Sequence, residues 1–360
     1  MAALPQSAGQ SQTQEWSLKR LAVFPRMRVL AWNGDELYVS RGYELLRARI
    51  AGAAPEWRNV GKYKPPLWRS LSSGSKLASR LFRDGFHALV VLPAGGWVAA
   101  VPGAIVTLSP GEKVFRVSHR ILHGTRPLHI TVVPKGTVYW GEYFDNPDRD
   151  EVHIYASTDK GATWQVAYTF PAKAIRHVHN IAYDEWEACL WVLTGDDGDE
   201  CRVLKASLDF SSVETVLSGR QQVRAAALVP ARDAVYFSSD TPFERNHVYR
   251  LDRQGNLEAV AELNGSSIHG CRVGDAIFFS TMVEPSTVNQ DRHARVYGGA
   301  DGQLWQSPLA WKKDWWPMRL FQFGNVFLPD GENTSGILAL TTVAVSGADL
   351  ETSLWQMTAP

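Results

Sequence analysis

His129-Ile-Thr-Val-Val133, a short turn, then Thr137-Val-Tyr-Trp140 is one copy of a unit that recurs along this chain. A His or Arg opens a short apolar strand, and a second strand rich in aromatic and β-branched residues follows it. The other clear copies are His87-Ala-Leu-Val-Val91 with Gly96-Trp-Val-Ala99, His179-Asn-Ile-Ala-Tyr183 with Cys189-Leu-Trp-Val192, Arg224-Ala-Ala-Ala-Leu228 with Ala234-Val-Tyr-Phe237, and His269-Gly-Cys-Arg-Val273 with Ala276-Ile-Phe-Phe279. Their openers are 42, 50, 45 and 45 residues apart. A fixed period of about 40–45 residues with room for four strands is the signature of propeller blades. Weaker copies flank the series at Arg28-Val-Leu-Ala-Trp32 with Glu36-Leu-Tyr-Val39, and at Asn325-Val-Phe-Leu-Pro329 with Gly336-Ile-Leu-Ala339. Seven openers predict an all-β chain folded as one seven-bladed β-propeller over residues 1–360, six blades being the next reading.

The strands of the third unit are expected at 129–134, 138–143, 152–157 and 165–170, and those of the fifth at 224–230, 235–239, 247–252 and 257–263. The last unit runs short: Ser353-Leu-Trp-Gln-Met357 supplies a third strand and the chain then ends. The spare strand lies at the other terminus, Trp16-Ser-Leu-Lys-Arg-Leu-Ala-Val-Phe24. Placing it outermost in the seventh blade closes the ring and shields sheet edges that all-β proteins must protect. Residues 65–84 do not follow the blade grammar and read as an insertion, with a short amphipathic helix over 75–82. Residues 1–15 read as a disordered tail.

Hydrophobic residues make up 45% of the chain and charged residues 21%, an ordinary globular balance. Lys plus Arg equals Asp plus Glu at 37 each, so no global field favours nucleic acid or an anionic membrane, and selectivity for charge must be local. No apolar run reaches membrane-spanning length, and the N-terminus has no basic and apolar signal pattern, which leads to the expectation of a cytoplasmic protein. The three cysteines, Cys189, Cys201 and Cys271, fit no zinc spacing and read as buried thiols.

Ser157-Thr-Asp-Lys-Gly-Ala-Thr-Trp164 resembles the Asp-box, or BNR repeat, of sialidase-like propellers over all eight positions. In this hairpin the Asp carboxylate accepts N–H bonds inside the turn, the Gly supplies positive φ, and the Trp packs the turn on its blade. The family places the box between the third and fourth strands of a blade, which is where the repeat puts it here. A degenerate copy stands at Ser207-Leu-Asp-Phe-Ser211. The resemblance implies the fold. The arginine triad and the Phe/Tyr-Arg-Ile-Pro motif of true sialidases are not matched, Phe24-Pro-Arg26 being different.

In a propeller the residues that open the innermost strands face one mouth of the axial channel. Arg28, His87, His129, His179, Arg224, His269 and Asn325 are therefore expected there, joined by Arg126, Arg176 and His177 from the entering loops. In a strand His177 and His179 point to the same side. Second strands end in acids on the same face: Glu142, Asp196, Asp240 and, a little later, Glu284. Arginines clamp carboxylates, and a His, Tyr or carboxylic acid moves protons. The expected site has Glu142 and Asp196 as acids, His177, His179 and Tyr143 as bases, and Arg126, Arg176, Arg224, His87, His129, His269 and Asn325 as substrate contacts.

These residues suit a carbohydrate-active enzyme that cleaves a glycosidic bond of an acidic oligo- or polysaccharide, as a glycoside hydrolase or a polysaccharide lyase. No cofactor is required. The alternative gives His129, His177, His179 and His269 to a divalent transition metal. A non-catalytic propeller that binds a glycan or a protein is the competing class. No basic stripe marks a nucleic-acid partner, and no membrane partner is expected. Trp311, Trp315 and Trp316 could stack on sugar rings or pack the sixth blade.

Overall fold

The computed structural model describes residues 16–300 and 302–358; the expected tail at 1–15 lies outside them. Seven sheets follow one another around an axis, five of them made of four consecutive antiparallel strands; the first blade gains a parallel strand and the last is shared by both ends of the chain. Blade four shows the pattern: Val178–Asp184 innermost, then Cys189–Thr194, Arg202–Ala206 and Val213–Ser218. Cys189–Thr194 is buried at every position because its sheet is covered on both faces by neighbouring blades. The outermost strand is mostly exposed. The core is accordingly divided into clusters lying between adjacent sheets, such as the one joining Leu193 and Val203 to Val235 and Phe237.

The expected strands of the third and fifth units are present, with the third unit's inner strand reduced to Thr131–Val132. Ring closure is as read from the sequence. Ser17–Pro25 pairs antiparallel with Glu351–Thr358, which pairs with Ile337–Val343 and that in turn with Asn325–Phe327. Trp16 is buried against Phe278 of blade six.

Two features depart from the simple repeat. After Asn325–Phe327 the chain does not turn back at once. It runs down the channel as Asp330–Asn333, pairing in parallel with the inner strand Arg28–Gly34 of blade one. This segment lines the channel, whose cavity of about 690 Å³ is also bordered by Trp186 and Arg272. Second, the insertion holds two helices rather than one, Leu67–Ser72 and Lys76–Phe82, the latter capped by the Ser75 hydroxyl. The buried Arg80 pins it across the ring: its guanidinium lies 2.6 Å from Asp314 and 3.3 Å from Asp349, and its Nε donates to the Phe321 carbonyl. The insertion is a wall on the mouth face, tied to the connection between blades six and seven.

The segment that resembles the Asp-box is a hairpin between Val152–Ser157 and Gln165–Phe170. Asp159 Oδ1 accepts from the Ser157 hydroxyl at 2.7 Å and from the Thr163 N–H at 2.9 Å, and the Thr163 hydroxyl donates to Oδ2. Trp164 donates from Nε1 to Ser118 of blade two at 3.0 Å, so the turn ties two blades together. At Ser207-Leu-Asp-Phe-Ser211 the Asp209 carboxylate accepts from Ser207 and Ser211 in the same manner. Burial would push the Asp159 carboxyl up, but the hydrogen bonds of Thr163, Ser157 and Ala162 outweigh it and hold the group at about 2.

Gly161 has φ +81°, and a Cβ there would stand 2.5 Å from a Val98 methyl. Gly161→Ala should therefore lower stability by about 1–3 kcal/mol in denaturant unfolding, the sum of a left-handed backbone and a crowded methyl. Asp159→Asn should lose stability relative to the wild type at neutral pH. Because the native carboxyl lies below its unfolded value, that difference should shrink as pH falls from about 4 toward 2. Thermal melts across this range read both effects.

Candidate functional site

Four inner strands, those of blades one, four, five and six, carry a register break beside the opener: at Val29/Ala31, Val178/Asn180, Ala225/Ala227 and Ser267/His269. A bulge bends the strand and re-aims one side chain. These breaks swing the openers into contact at the channel mouth and upper channel, where the charges sort into two regions.

One region is cationic. Arg28 donates to His87 Nδ1 at 3.1 Å, while His87 Nε2 lies 2.7 Å from the Arg83 carbonyl, which fixes the imidazole neutral with its proton on Nε2. The Arg28 guanidinium also stacks over Phe327 at 3.9 Å. Burial and the nearby Arg126 lower Arg28 to about 9; burial and Arg83 lower Arg126 to about 10. Burial, then Arg126 and Arg28, hold His87 well below its usual value. Among the described residues neither Arg28 nor Arg126 is paired with a carboxylate, and the Arg28 Nε has no partner at all.

The other region is built on Asp196. Its Oδ1 lies 3.1 Å from Arg224 and 3.4 Å from His179 Nε2; its Oδ2 lies 3.4 Å from Arg176 and 3.5 Å from His177 Nε2. Burial would raise this carboxyl, but contact with His177, His179 and Arg224 keeps it ionised, far below the ordinary range. Asp240 and Glu284 lie beyond Arg224. Both are raised, first by burial and then, for Glu284, by Asp240 itself; Asp240 feels Asp196 as well. The Asp240 side chain is buried, with Oδ1 unpartnered. Two neighbouring carboxyls that resist ionisation form a pair able to hold and release a proton.

Tyr143 stands between the regions. Its ring is 4.4 Å from that of His177 and 6.0 Å from that of His179. Burial, then Asp240 and Asp196, push its hydroxyl up to about 12, so it is a phenol that can donate.

The expected residues divide as follows. Arg28, His87, Arg126, Tyr143, His177, His179, Arg176, Asp196 and Arg224 are assembled in these two regions. His129 and His269 are not part of them. His129 Nδ1 is 3.0 Å from Asp330 of the channel segment, and the two rings stack edge to face at 6.2 Å. His269 also packs on Phe327, next to Asn325. The four-histidine metal set is thereby corrected. The groups of potential ligands among the described residues are His177–His179–Asp196 and Asp184–Glu187–Cys189, neither with His129 or His269. Glu142 is also corrected as a catalytic acid. It is buried, with one oxygen accepting the His153 N–H at 2.8 Å and the other 3.2 Å from His123. Asp196 fails as an acid for the opposite reason, since it is already ionised. Asp240 and Glu284 were visible as strand-end acids, but only the packing around Arg224 separates them from Glu142. Trp311 packs on Trp355, while Trp315 stacks on Trp316 and is 78% exposed.

No family model matches the sequence, and no curated protein matches it. Solved structures do. The WD40 β-propeller domain of Doa1 has a TM-score of 0.56 and 10% identity, covering 95% of this chain and 97% of that one. A chain of the mitotic checkpoint complex has a TM-score of 0.55 and 9% identity over 99% and 98%. The chain is a seven-bladed β-propeller. The extracellular domain of a one-component system, BT4673 of B. thetaiotaomicron, gives a TM-score of 0.55 and 10% identity over 97% of this chain and 40% of that one. At such identities the likeness is one of fold alone, and it does not reach the sialidase-like family that the Asp-box resembles.

The raised carboxyls make a stability prediction. A carboxyl raised by folding stabilises the native state below its unfolded value, and that contribution is lost as pH climbs through the folded value. Asp240→Asn should therefore gain Tm relative to the wild type as pH rises from about 4 to 8, by a few degrees at the upper end. Parallel melts of the two proteins measure the divergence.

Proposed function

We propose that this propeller is a carbohydrate-active enzyme that holds an acidic saccharide by its carboxylate at the channel mouth and breaks the adjacent glycosidic bond by elimination. The observation that carries this reading is the pair of half-buried guanidinium groups, Arg28 and Arg126, with no carboxylate partner among the described residues, beside a phenol. Buried unpaired cations are costly, and an anionic ligand removes the cost. Arginine is suited to planar, bidentate recognition of a carboxylate.

Elimination asks for three things. The carboxylate must be neutralised so that the carbon beside it can lose a proton; Arg28 and Arg126 do this, with His87 orienting Arg28. A base must take that proton; Asp240 and Glu284, both raised by burial, are suited to the task. The electrons then form the carbon–carbon double bond as the glycosidic C–O bond breaks, and Tyr143 gives its proton to the leaving oxygen. Water takes no part. Hydrolysis fits less well, because Asp196 is engaged by two arginines and two histidines and has little capacity to activate water.

Uronate-containing oligosaccharides are the test substrates, and the conjugated acid formed by elimination is read by its ultraviolet absorbance. Tyr143→Phe should lower kcat by about 10²–10⁴ with little change in KM. Arg126→Ala should raise KM and lower kcat/KM by about 100-fold or more, a loss of at least about 2.7 kcal/mol in transition-state binding. Binding of the same saccharides with no bond cleavage by the wild type would replace the enzyme with a glycan-binding propeller.

A further inference from the structure

The ring nitrogens of His177 and His179 pose a problem that the proposed elimination leaves unsolved. His177 Nδ1 lies 2.8 Å from the Phe144 carbonyl, and His179 Nδ1 lies 2.8 Å from the Ala225 carbonyl. A carbonyl only accepts, so both Nδ1 atoms carry a proton, and a ring with no second proton or cation presents Nε2 as a bare lone pair. Yet those two Nε2 atoms face each other at 2.9 Å. Two lone pairs so close repel unless a positive charge lies between or before them. Both side chains are buried, at 5% and 3% exposure, so solvent does not relieve the repulsion.

We propose that His177, His179 and Asp196 bind one divalent transition-metal ion. Three features carry this inference. The first is distance. Nitrogen ligands lie about 2.0–2.1 Å from such an ion, so two of them at an angle near 90° are about 2.9–3.0 Å apart. The separations of Asp196 oxygens from the two Nε2 atoms, 3.4 and 3.5 Å, correspond to wider angles about the same point. The second is the outer shell. A metal-bound imidazole commonly donates its other N–H to a backbone carbonyl, which fixes the tautomer, and both rings do so here. The third is charge. Arg224 and Arg176, 3.1 and 3.4 Å from its two oxygens, aim the Asp196 carboxylate at both imidazoles and leave it to balance part of the charge of a dication.

Two imidazoles and one carboxylate suit Mn, Fe, Co, Ni or Zn and disfavour Ca and Mg. The ligands come from a single blade: a His-x-His at the start of the inner strand and an Asp just past the end of its neighbour. The other cluster, Asp184–Glu187–Cys189, carries no such inference. Arg253 lies 2.8 Å from Glu187 and also contacts Asp184, whose carboxylate accepts the Trp191 Nε1–H and two backbone N–H groups as well. The proposal deepens the reading of the mouth given above. Alongside Arg28 and Arg126, a bound ion supplies positive charge for an acidic sugar. Its occurrence does not depend on the elimination.

Full-length protein stripped with a chelator and dialysed is titrated with Co²⁺, followed by its visible ligand-field bands, and with Mn²⁺, Ni²⁺ and Zn²⁺ by calorimetry. One ion per chain is expected, with bands of a nitrogen–oxygen site. His179→Asn keeps an N–H for the Ala225 carbonyl but deletes Nε2, and Asp196→Asn keeps the shape of the carboxylate; each should weaken binding at least about 100-fold, beyond the loss expected for an outer-shell partner. His129→Asn, outside the site, should bind as the wild type does. Circular dichroism and melts confirm that each variant is folded. Absence of one-to-one binding in the wild type, or binding undiminished in both His179→Asn and Asp196→Asn, would overturn the proposal. Cleavage by a wild type that binds no ion would remove the ion while leaving the enzyme reading intact, and an ion bound with no cleavage would do the reverse.

Discussion

A propeller is held by a closure constraint: the sheets surround an axis only if the last blade is completed by strands from both ends of the chain. Here Ser17–Pro25 and Glu351–Thr358 share one sheet. The pairing leaves no blade with a half-built core and covers the edge that an open ring would present. Every residue of the mouth owes its position to that closure, because the inner strands converge only when all seven sheets are in place. Trp16 and the Asp-box Trp164 reinforce it locally by bridging neighbouring blades.

Within this frame the mouth concentrates charge that an ordinary core would reject. Arg28 and Arg126 lie together on one side, paired with no acid among the described residues, and Asp196, Asp240 and Glu284 lie on the other, where burial raises the Asp240 and Glu284 carboxyls. Sorting like charges together costs stability, and the rigid scaffold supplies it. The facing lone pairs of His177 and His179 belong to the same economy of strain. A ligand that is anionic at one side and a cation held at the other would relieve both. The insertion at 65–84 contributes the wall: Arg80 locks it to the far connection, and Arg83 at its end both accepts from His87 and adds to the cationic field.

Two segments changed what the repeat alone suggested. The segment Asp330–Asn333 enters the channel and captures His129, so a histidine at an equivalent blade position does a different job from His179. The register breaks act in the opposite sense. In blade four the break lies at His179 itself, whose Nε2 stands 2.9 Å from that of His177. Glu142 and Asp240 end equivalent strands, yet one is consumed by a backbone N–H and the other is left with a bare oxygen.

The amino-acid sequence by itself determined the blade count, the closing strand, the Asp-box hairpin and the identity of the openers. These follow from local chemistry: β-branched and aromatic periodicity, a Gly that can take positive φ, and an Asp that can satisfy a turn. Only the tertiary structure decided which openers meet, which carboxyls are raised or lowered and which ring nitrogens face each other. Those outcomes depend on desolvation and on contacts between residues 20 to 200 positions apart, such as Asp196 with Arg224 and His129 with Asp330. A side chain's charge state is set by what surrounds it, and that surrounding exists only after the ring has closed.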